Sequence, residues 1–312
     1  MNKHLPLVSI NILSFNRKNV LRYTLEKIFA QDYKNIEVIV IDNGSSDKTS
    51  EMIQNEFPNV KLIQHGKNIG IAGYNIGFKE VQGEFILLLD DDSYPKPSTI
   101  LKGIEKFEDD DSIGIVAFNI MNELENKSES YDFDEYPISF FGCGALISKN
   151  LVNQIGVYDE NYFLYDNELD YAARCWDAGY KIYYLKSAVV VHLQSTIARE
   201  HSNKNILLGK KRYYHFFLSY SKFIVLRLSG QEKIKALIKW WINRTIIMIR
   251  FGYLKEYFEV ILHFIKIYFH LLSKSQPIDK KLQLNYGAKS FPFVDRDFFP
   301  SFTKPKFLKF VN

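Results

Sequence analysis

Residues 87–89, a Leu triplet, run straight into three carboxylates, Asp90, Asp91 and Asp92. Adjacent like charges repel, and carboxylates are seldom buried without a partner. Side chains alternate on extended backbone, so Asp90 and Asp92 are set to face one way and Asp91 back into the fold. Two oxygen donors on one face at a strand end suit Mg2+ or Mn2+, which prefer carboxylate, phosphate and water. A solvated acidic turn would hold the triplet as well; its place directly after FILLL favours the metal. His192 closes a second apolar run, AVVVH, and its imidazole can complete a coordination sphere.

Two further stretches carry reactive types. Residues 163–174, FLYDNELDYAAR, hold Asp166, Glu168 and Asp170 within five residues. Acidic residues at a helix start compensate the helix dipole whatever the function. As chemistry, one of them would be a general base that takes a proton from a hydroxyl. Residues 68–75, NIGIAGYN, are Gly-rich and open a helix, where backbone amides can approach a phosphate.

The elements that must position these residues follow from periodicity. Strands are expected at 7–14, Ile36–Asp42, Val60–Gln64, 84–89 and 113–119, with helices over 19–31, 47–57, 70–81 and 98–107. Such alternation argues for βαβ units and a mostly parallel sheet. Ligands of such sheets bind beyond the carboxyl ends of the strands, which places Asp42 beside Asp90. Further along, 121–137 reads as a flexible acidic loop and 140–148 as a strand with a glycine kink. A helix is expected over 168–179 and a strand within Lys181–His192.

Apolar residues make up 46% of the 312, enough for a packed core and too many for a disordered chain. The net charge of +4 hides an asymmetry. Residues 1–200 hold 19 Lys+Arg against 30 Asp+Glu, and residues 201–312 hold 21 against 6. The expected division is therefore an acidic domain over 1–200 and a basic, aromatic, helical region over 201–312, with helices at 207–228 and 233–274 and an extended tail from 275. Residues 236–254 have the length of a membrane span but carry Lys239, Asn243, Arg244 and Arg250, costly at a bilayer centre. Helices lying on an anionic membrane, or packing as an oligomer interface or cover, are expected instead. No nucleic-acid motif accompanies the basic charge, the N-terminus shows no apolar leader, and Cys143 and Cys175 fit reduced thiols of a cytosolic protein.

The ordered set VSINILSFNR, VIVIDNGSSDKT, NIGIAGYNIG, FILLLDDD, FGCGALISKN, GVYDENYFLYDNELDYAARCWDAGYKI and AVVVH resembles the inverting family 2 glycosyltransferases of GT-A fold. The resemblance covers about residues 6–195 and is strongest to bacterial rhamnosyltransferase-like and galactofuranosyltransferase-like members that build surface polysaccharides. It implies an α/β, Rossmann-like GT-A domain that binds a nucleotide-diphosphate sugar, UDP- or dTDP-linked, with Mn2+ or Mg2+. Asp42 and Asn43 would lie at the base, with Ser14, Asn16 and Arg17 beside it; Asn43 stands where many relatives have Asp. Asn68 and Gly70 would line the nucleotide site, Asp90 would sit near the ribose, and Asp91 is grouped with these. Asp92 would hold the metal, with His192 as an additional ligand, and Gly142, Cys143, Gly144 and Ala145 would border sugar and acceptor. Relatives commonly read Glu-Asp or Asp-Asp at Asn167-Glu168. Aligning Asp170 and Arg174 puts Glu168 at the base position, with Asp170 in reserve and Asp166 third.

The implied reaction is a single displacement onto a glycan or lipid-linked hydroxyl, at the inner face of the cell membrane. Two other classes fit less. A non-catalytic nucleotide-sugar-binding partner in a polysaccharide complex would not hydrolyse a donor, and a nucleotidyltransferase calls for a Gly-rich first loop where this chain has LSFNRKN.

Overall fold

The computed structural model describes residues 5–124, 126–130, 133–193 and 210–287. Four parallel strands, β1 (Val8–Ser14), β2 (Ile36–Asp42), β3 (Val60–Gln64) and β4 (Phe85–Asp90), lie in the order β3-β2-β1-β4. Between them run α1 (Lys18–Ala30), α2 (Thr49–Glu56) and the short α3 (Tyr74–Phe78). The sheet continues through β5 (Ser93–Pro95), α4 (Thr99–Asp109), β6 (Ile113–Asn122), β7 (Lys127–Ser128) and β8 (Ala145–Ser148). After α5 (Lys149–Ile155) and α6 (Asn167–Asp177) comes β9 (Lys181–His192). The full order is β3-β2-β1-β4-β8-β6-β9-β5, with β7 hairpinned onto β6 and β8 antiparallel to both its neighbours.

Continuous apolar runs form the central strands because both faces of the sheet are covered. On β4, Leu87 and Leu89 join the cluster of Leu21, Leu25, Ile100 and Ile104 from α1 and α4. Ile86 and Leu88 join Tyr171 and Ala172 of α6 on the other face. Alternation therefore seats α6 against β4, so that the start of α6 arrives near the strand's carboxyl end.

Four expectations are corrected. Residues 70–81 are not one helix: Gly70 has φ +66°, Gly70–Gly73 form a 3-10 turn, and α3 ends at Phe78. The strand expected over 140–148 starts only at Ala145, because Gly142–Gly144 close a 3-10 turn. The acidic 121–137 stretch is partly ordered, since β6 runs on to Asn122 and returns as β7. Polar side chains hold that return: Ser128 donates to Asn119 Oδ1 at 2.5 Å, and the Ile120 amide donates to Ser130 Oγ at 3.0 Å. The helix expected over 233–274 is two helices.

The C-terminal block comprises α7 (Lys210–Arg227), α8 (Gly230–Phe251), α9 (Leu254–Ser273) and α10 (Lys280–Tyr286). Gly252, at φ +70°, ends α8 in the left-handed conformation that closes many helices. The tail expected to be extended forms α10 first, and its remainder, like residues 201–206, lies outside the described residues. Phe217, Phe223 and Trp240 share one apolar cluster with Tyr162, Leu169 and Ala173, so the block packs directly onto α6. Arg244 is buried with its guanidinium 4.3 Å from the Trp240 ring centroid. Among the described residues no helix is long and apolar enough to cross a membrane.

Candidate active site

Three strand ends build the floor. Register pairs Ser14 with Asp42 and Leu13 with Asp90, so β1, β2 and β4 deliver their last residues side by side. β5 then pairs antiparallel with β9, Ser93 opposite His192, and draws that imidazole to the triplet. One ligand atom each from Asp90, Asp92 and His192 lies within 4.8 Å of the others. A cleft of about 370 Å³ opens above them, walled also by Ser14, Arg17, Asn43, Asn68, Gly70, Tyr74 and Phe163.

Each carboxylate of the triplet has its own partners. Asp90 accepts from the Tyr74 hydroxyl at 2.8 Å. Asp91, buried, accepts from Ser14 Oγ at 3.0 Å and Arg17 Nη1 at 3.2 Å. Asp92 accepts from Arg17 and stands 3.4 Å from His192 Nε2, while His192 Nδ1 meets Glu129 at 3.2 Å. Burial and the neighbouring Asp92 raise the Asp90 carboxyl. Burial pushes Asp91 to about 7 against the pull of Arg17. For Asp92, burial is outweighed by His192 and Arg17, and its carboxyl is lowered. Burial opposes a charge on His192, but its bonds to Asp92 and Glu129 outweigh it and raise the imidazole to about 10.

These donors fit a divalent cation once the imidazole gives up its proton, since a ligating histidine must be neutral. In six-coordination with bonds of about 2.1 Å, ligand atoms lie roughly 3 to 4.3 Å apart, close to the spread seen. Two carboxylates with one imidazole suit Mn2+ at least as well as Mg2+.

Glu168 opens α6 beside the turn of Gly142. A Cβ on Gly142 would lie 2.7 Å from Glu168 Oε1, so any side chain there would push that carboxylate from its place. Burial, and then the charge of Asp90, raise Glu168 to about 7, against the backbone amide of Gly142. A carboxyl poised there can take a proton near neutral pH.

Other expected site residues are placed differently. Asp170 is fully buried and spent on structure: it accepts from Arg174 Nε at 2.9 Å, Arg227 Nε at 2.6 Å and the Tyr162 hydroxyl at 3.2 Å. A fourth contact, from Arg227 Nη2 at 3.3 Å, engages its last lone-pair site, so it is placed as a structural anchor and not as the reserve base. Burial, and then the charge of Glu168, raise the Asp166 carboxyl well above its ordinary value. Asp42 is buried and binds the turn amide of Ser45 at 2.8 Å and the Ser50 hydroxyl. Asn16 accepts from the Ser46 amide at 2.7 Å. Neither lines the cleft; together they shape the loops that bring in Ser14, Arg17 and Asn43. Cys143, Gly144 and Ala145 are buried, with Gly144 pressed against Ile120 and Val190, so of that quartet only Gly142 is partly exposed, beside Glu168.

Asn43 has a reason to be an amide. Its Nδ2 donates to Asn68 Oδ1 and the Gly70 carbonyl, both at 3.1 Å, and its Oδ1 accepts from the Ile69 amide at 3.1 Å. An Asp could accept but not donate. The sequence reading missed Tyr74, Glu129 and Phe163. Tyr74 lies inside NIGIAGYN, Glu129 inside the stretch taken as a loop, and Phe163 at the head of the acidic helix start; their neighbours carried the only signal.

Residues 9–172 match the family model described as Glycosyl transferase family 2. The chain is 31% identical over 178 residues to an uncharacterized glycosyltransferase of Rickettsia typhi, covering 51% of this chain and 56% of that one. It thus spans a little over half the length of this relative, and 30% to 57% of other curated relatives it matches. Among solved structures, it superposes on the mannosyltransferase PcManGT from Pyrobaculum calidifontis in complex with GDP-Man and Mn2+, with TM-score 0.58 at 16% identity, covering 85% of this chain and 76% of that one. S. aureus TarS 1–349 in complex with UDP-GlcNAc gives TM-score 0.54 at 16% identity, covering 77% and 72%. At such identity the likeness is one of fold, the GT-A fold.

Proposed function

Since the chain belongs to glycosyl transferase family 2, we propose that it moves a sugar, with inversion, from a nucleotide-diphosphate sugar to a hydroxyl of a glycan or lipid-linked acceptor. The observation that carries this is Glu168, held by Gly142 at the end of the strand bearing Asp90 and raised to about 7. As the acceptor oxygen attacks the anomeric carbon, Glu168 takes its proton. The new C–O bond forms while the bond to the diphosphate breaks, and the electron pair leaves with the diphosphate. Asn43, Asn68 and Gly70 form one hydrogen-bonded wall, suited to seat the nucleoside. Arg17, already bonded to Asp91 and Asp92, offers positive charge beside the diphosphate. Asp90, Asp92 and His192 would hold Mn2+ or Mg2+, whose chemistry is Lewis-acid relief of charge on the leaving group. Holding both substrates in line supplies much of the remaining rate.

The resemblance to rhamnosyltransferase-like and galactofuranosyltransferase-like enzymes supports a place in surface-polysaccharide synthesis, at the inner face of the cell membrane. The solved neighbours were bound to GDP-Man and to UDP-GlcNAc, so both join the UDP- and dTDP-sugars as donors to test. The experiment is a thermal-shift screen of these donors with Mn2+, followed by donor turnover with and without EDTA. Turnover of a stabilising donor that stops in EDTA is the expected result. Full turnover in EDTA removes the metal from the mechanism, and binding without any turnover leaves a non-catalytic sugar-nucleotide binder.

A further inference from the structure

The two long C-terminal helices each bury only one side. α8 turns Trp240 and Arg244 inward and shows Ile234, Ile238, Ile242 and Ile246, each more than half exposed. α9 buries Val260 and Leu271 and shows Leu254, Phe258, Leu262, Ile265 and Phe269, the last 79% exposed. Spacings of three and four keep each set on one side of its helix. The helices lie side by side, so that Ile238 of one and Ile265 and Phe269 of the other line a common apolar groove of about 570 Å³. An apolar face this extended marks an interaction surface.

Charge decides what it meets. Lys235, Lys239, Lys255 and Lys266 are exposed on these helices; Lys235 pairs with Glu232 at 3.6 Å and Lys255 with Glu259 at 3.9 Å, and lysines still outnumber acids on this side among the described residues. A second copy would set these lysines against their own kind. Anionic headgroups offer them opposite charge while the acyl boundary takes the apolar residues. Neither helix is apolar enough to cross a bilayer, so the pair lies along it. The face also leads to the reaction cleft. Leu262 helps line a cavity of about 890 Å³ whose wall includes Phe163, and Phe163 walls the donor cleft as well.

We propose that the α8–α9 face is a docking surface for an anionic lipid bilayer, which turns the reaction cleft toward acceptors carried in that surface. The turning of the cleft toward such acceptors rests on the transferase reading; docking does not, and vesicle binding is measured without donor, so the two fail separately. The test is flotation of the full chain with phosphatidylcholine vesicles, either neutral or containing about a quarter phosphatidylglycerol. The chain is expected to float with the anionic vesicles and at least tenfold more weakly with the neutral ones. The double substitution Ile242→Glu with Phe269→Glu should cut binding to anionic vesicles by tenfold or more, with an unchanged melting temperature showing that the fold is kept. Lys235→Glu with Lys266→Glu should weaken anionic binding and leave neutral binding as it was. Any one of the following overturns the proposal: no flotation of the full chain, equal flotation on both vesicles, unaltered flotation of the Glu variant, or a dimer that the same variant turns into monomer.

Discussion

Glu168 and Asp170 stand two residues apart on α6, and their loss should show in opposite observables. Asp170 is fully buried between Arg174 and Arg227, at 2.9 and 2.6 Å. Asp170→Asn leaves both guanidinium groups facing a neutral amide. Removing one partner of a buried ion pair costs about 3–5 kcal/mol. At about 2 °C per kcal/mol for a chain of this size, the melting temperature should fall by roughly 6–10 °C. Glu168→Gln removes a carboxyl whose folded pKa is raised to about 7. A carboxyl raised in the fold weakens stability as pH climbs from its unfolded value through 7, so at pH 8 the Gln variant should melt no lower than the parent. Its transfer rate should drop by about 10²–10⁴, the usual contribution of a general base. Thermal melts and donor turnover below each variant's melting range separate the two effects. The reasoning fails if Asp170→Asn keeps its melting temperature and loses turnover, or if Glu168→Gln turns over at the parental rate.

Turnover at saturating donor should rise with pH through about 7 as Glu168 loses its proton; a flat profile from pH 5.5 to 8 would remove Glu168 from the base role. Gly142→Ala would put a methyl 2.7 Å from Glu168 Oε1 where 3.4 Å is ordinary contact, so the carboxylate must move by about 0.7 Å. A shift of that order should cost roughly ten- to a hundredfold in kcat, with nucleotide affinity by titration calorimetry within about twofold. Gly70→Ala meets a left-handed φ of +66° and the Phe163 carbonyl oxygen at 2.0 Å. It should displace the Asn68–Gly70 wall and weaken nucleotide binding by about tenfold, and unaltered affinity would refute that wall.

Apolar runs in the sequence were enough to place the central strands. Ile36–Asp42 appears with the bounds that its nearly continuous apolar run suggests, its last five residues buried, and Val60–Gln64 keeps its bounds as an edge strand with Lys61 and Gln64 exposed. Asp42 and Asp90 do end their strands at the same edge, but β1 lies between them and Asp42 turns to Ser45 and Ser50 instead of the cleft. What stayed hidden depends on contacts distant in sequence. His192 was expected beside Asp92, but the three-residue β5 that brings it there is too short for periodicity to show. Glu129 becomes a partner of His192 only because polar side chains hold a hairpin together in a stretch that reads as loop. Asp170 looked as reactive as Glu168 until Arg227, 57 residues later, closed on it.

That last contact bears on how the chain is divided. The charge asymmetry suggests an acidic catalytic unit and a basic appendage, yet the loop that leads to Glu168 is held from the basic side. Ser219 donates to the Leu164 carbonyl at 2.6 Å and Lys222 to the Asn161 carbonyl at 2.5 Å. Arg227 bridges Asp159 at 3.0 Å and Asp170 at 2.6 Å, and His215 stacks on Phe163 with ring centroids 4.9 Å apart. Tyr165 and Asp166 sit at φ +65° and +58° within that loop, a conformation that costs non-glycine residues about 1–2 kcal/mol each. Such strain persists only where the surroundings over-determine it, and here α7 supplies a large part of those surroundings. The same helix packs under α8 and α9, so the block that carries the exposed apolar face also fixes the loop that leads into α6 and Glu168. A surface that docks this block would thereby be tied, through one helix, to the position of Glu168.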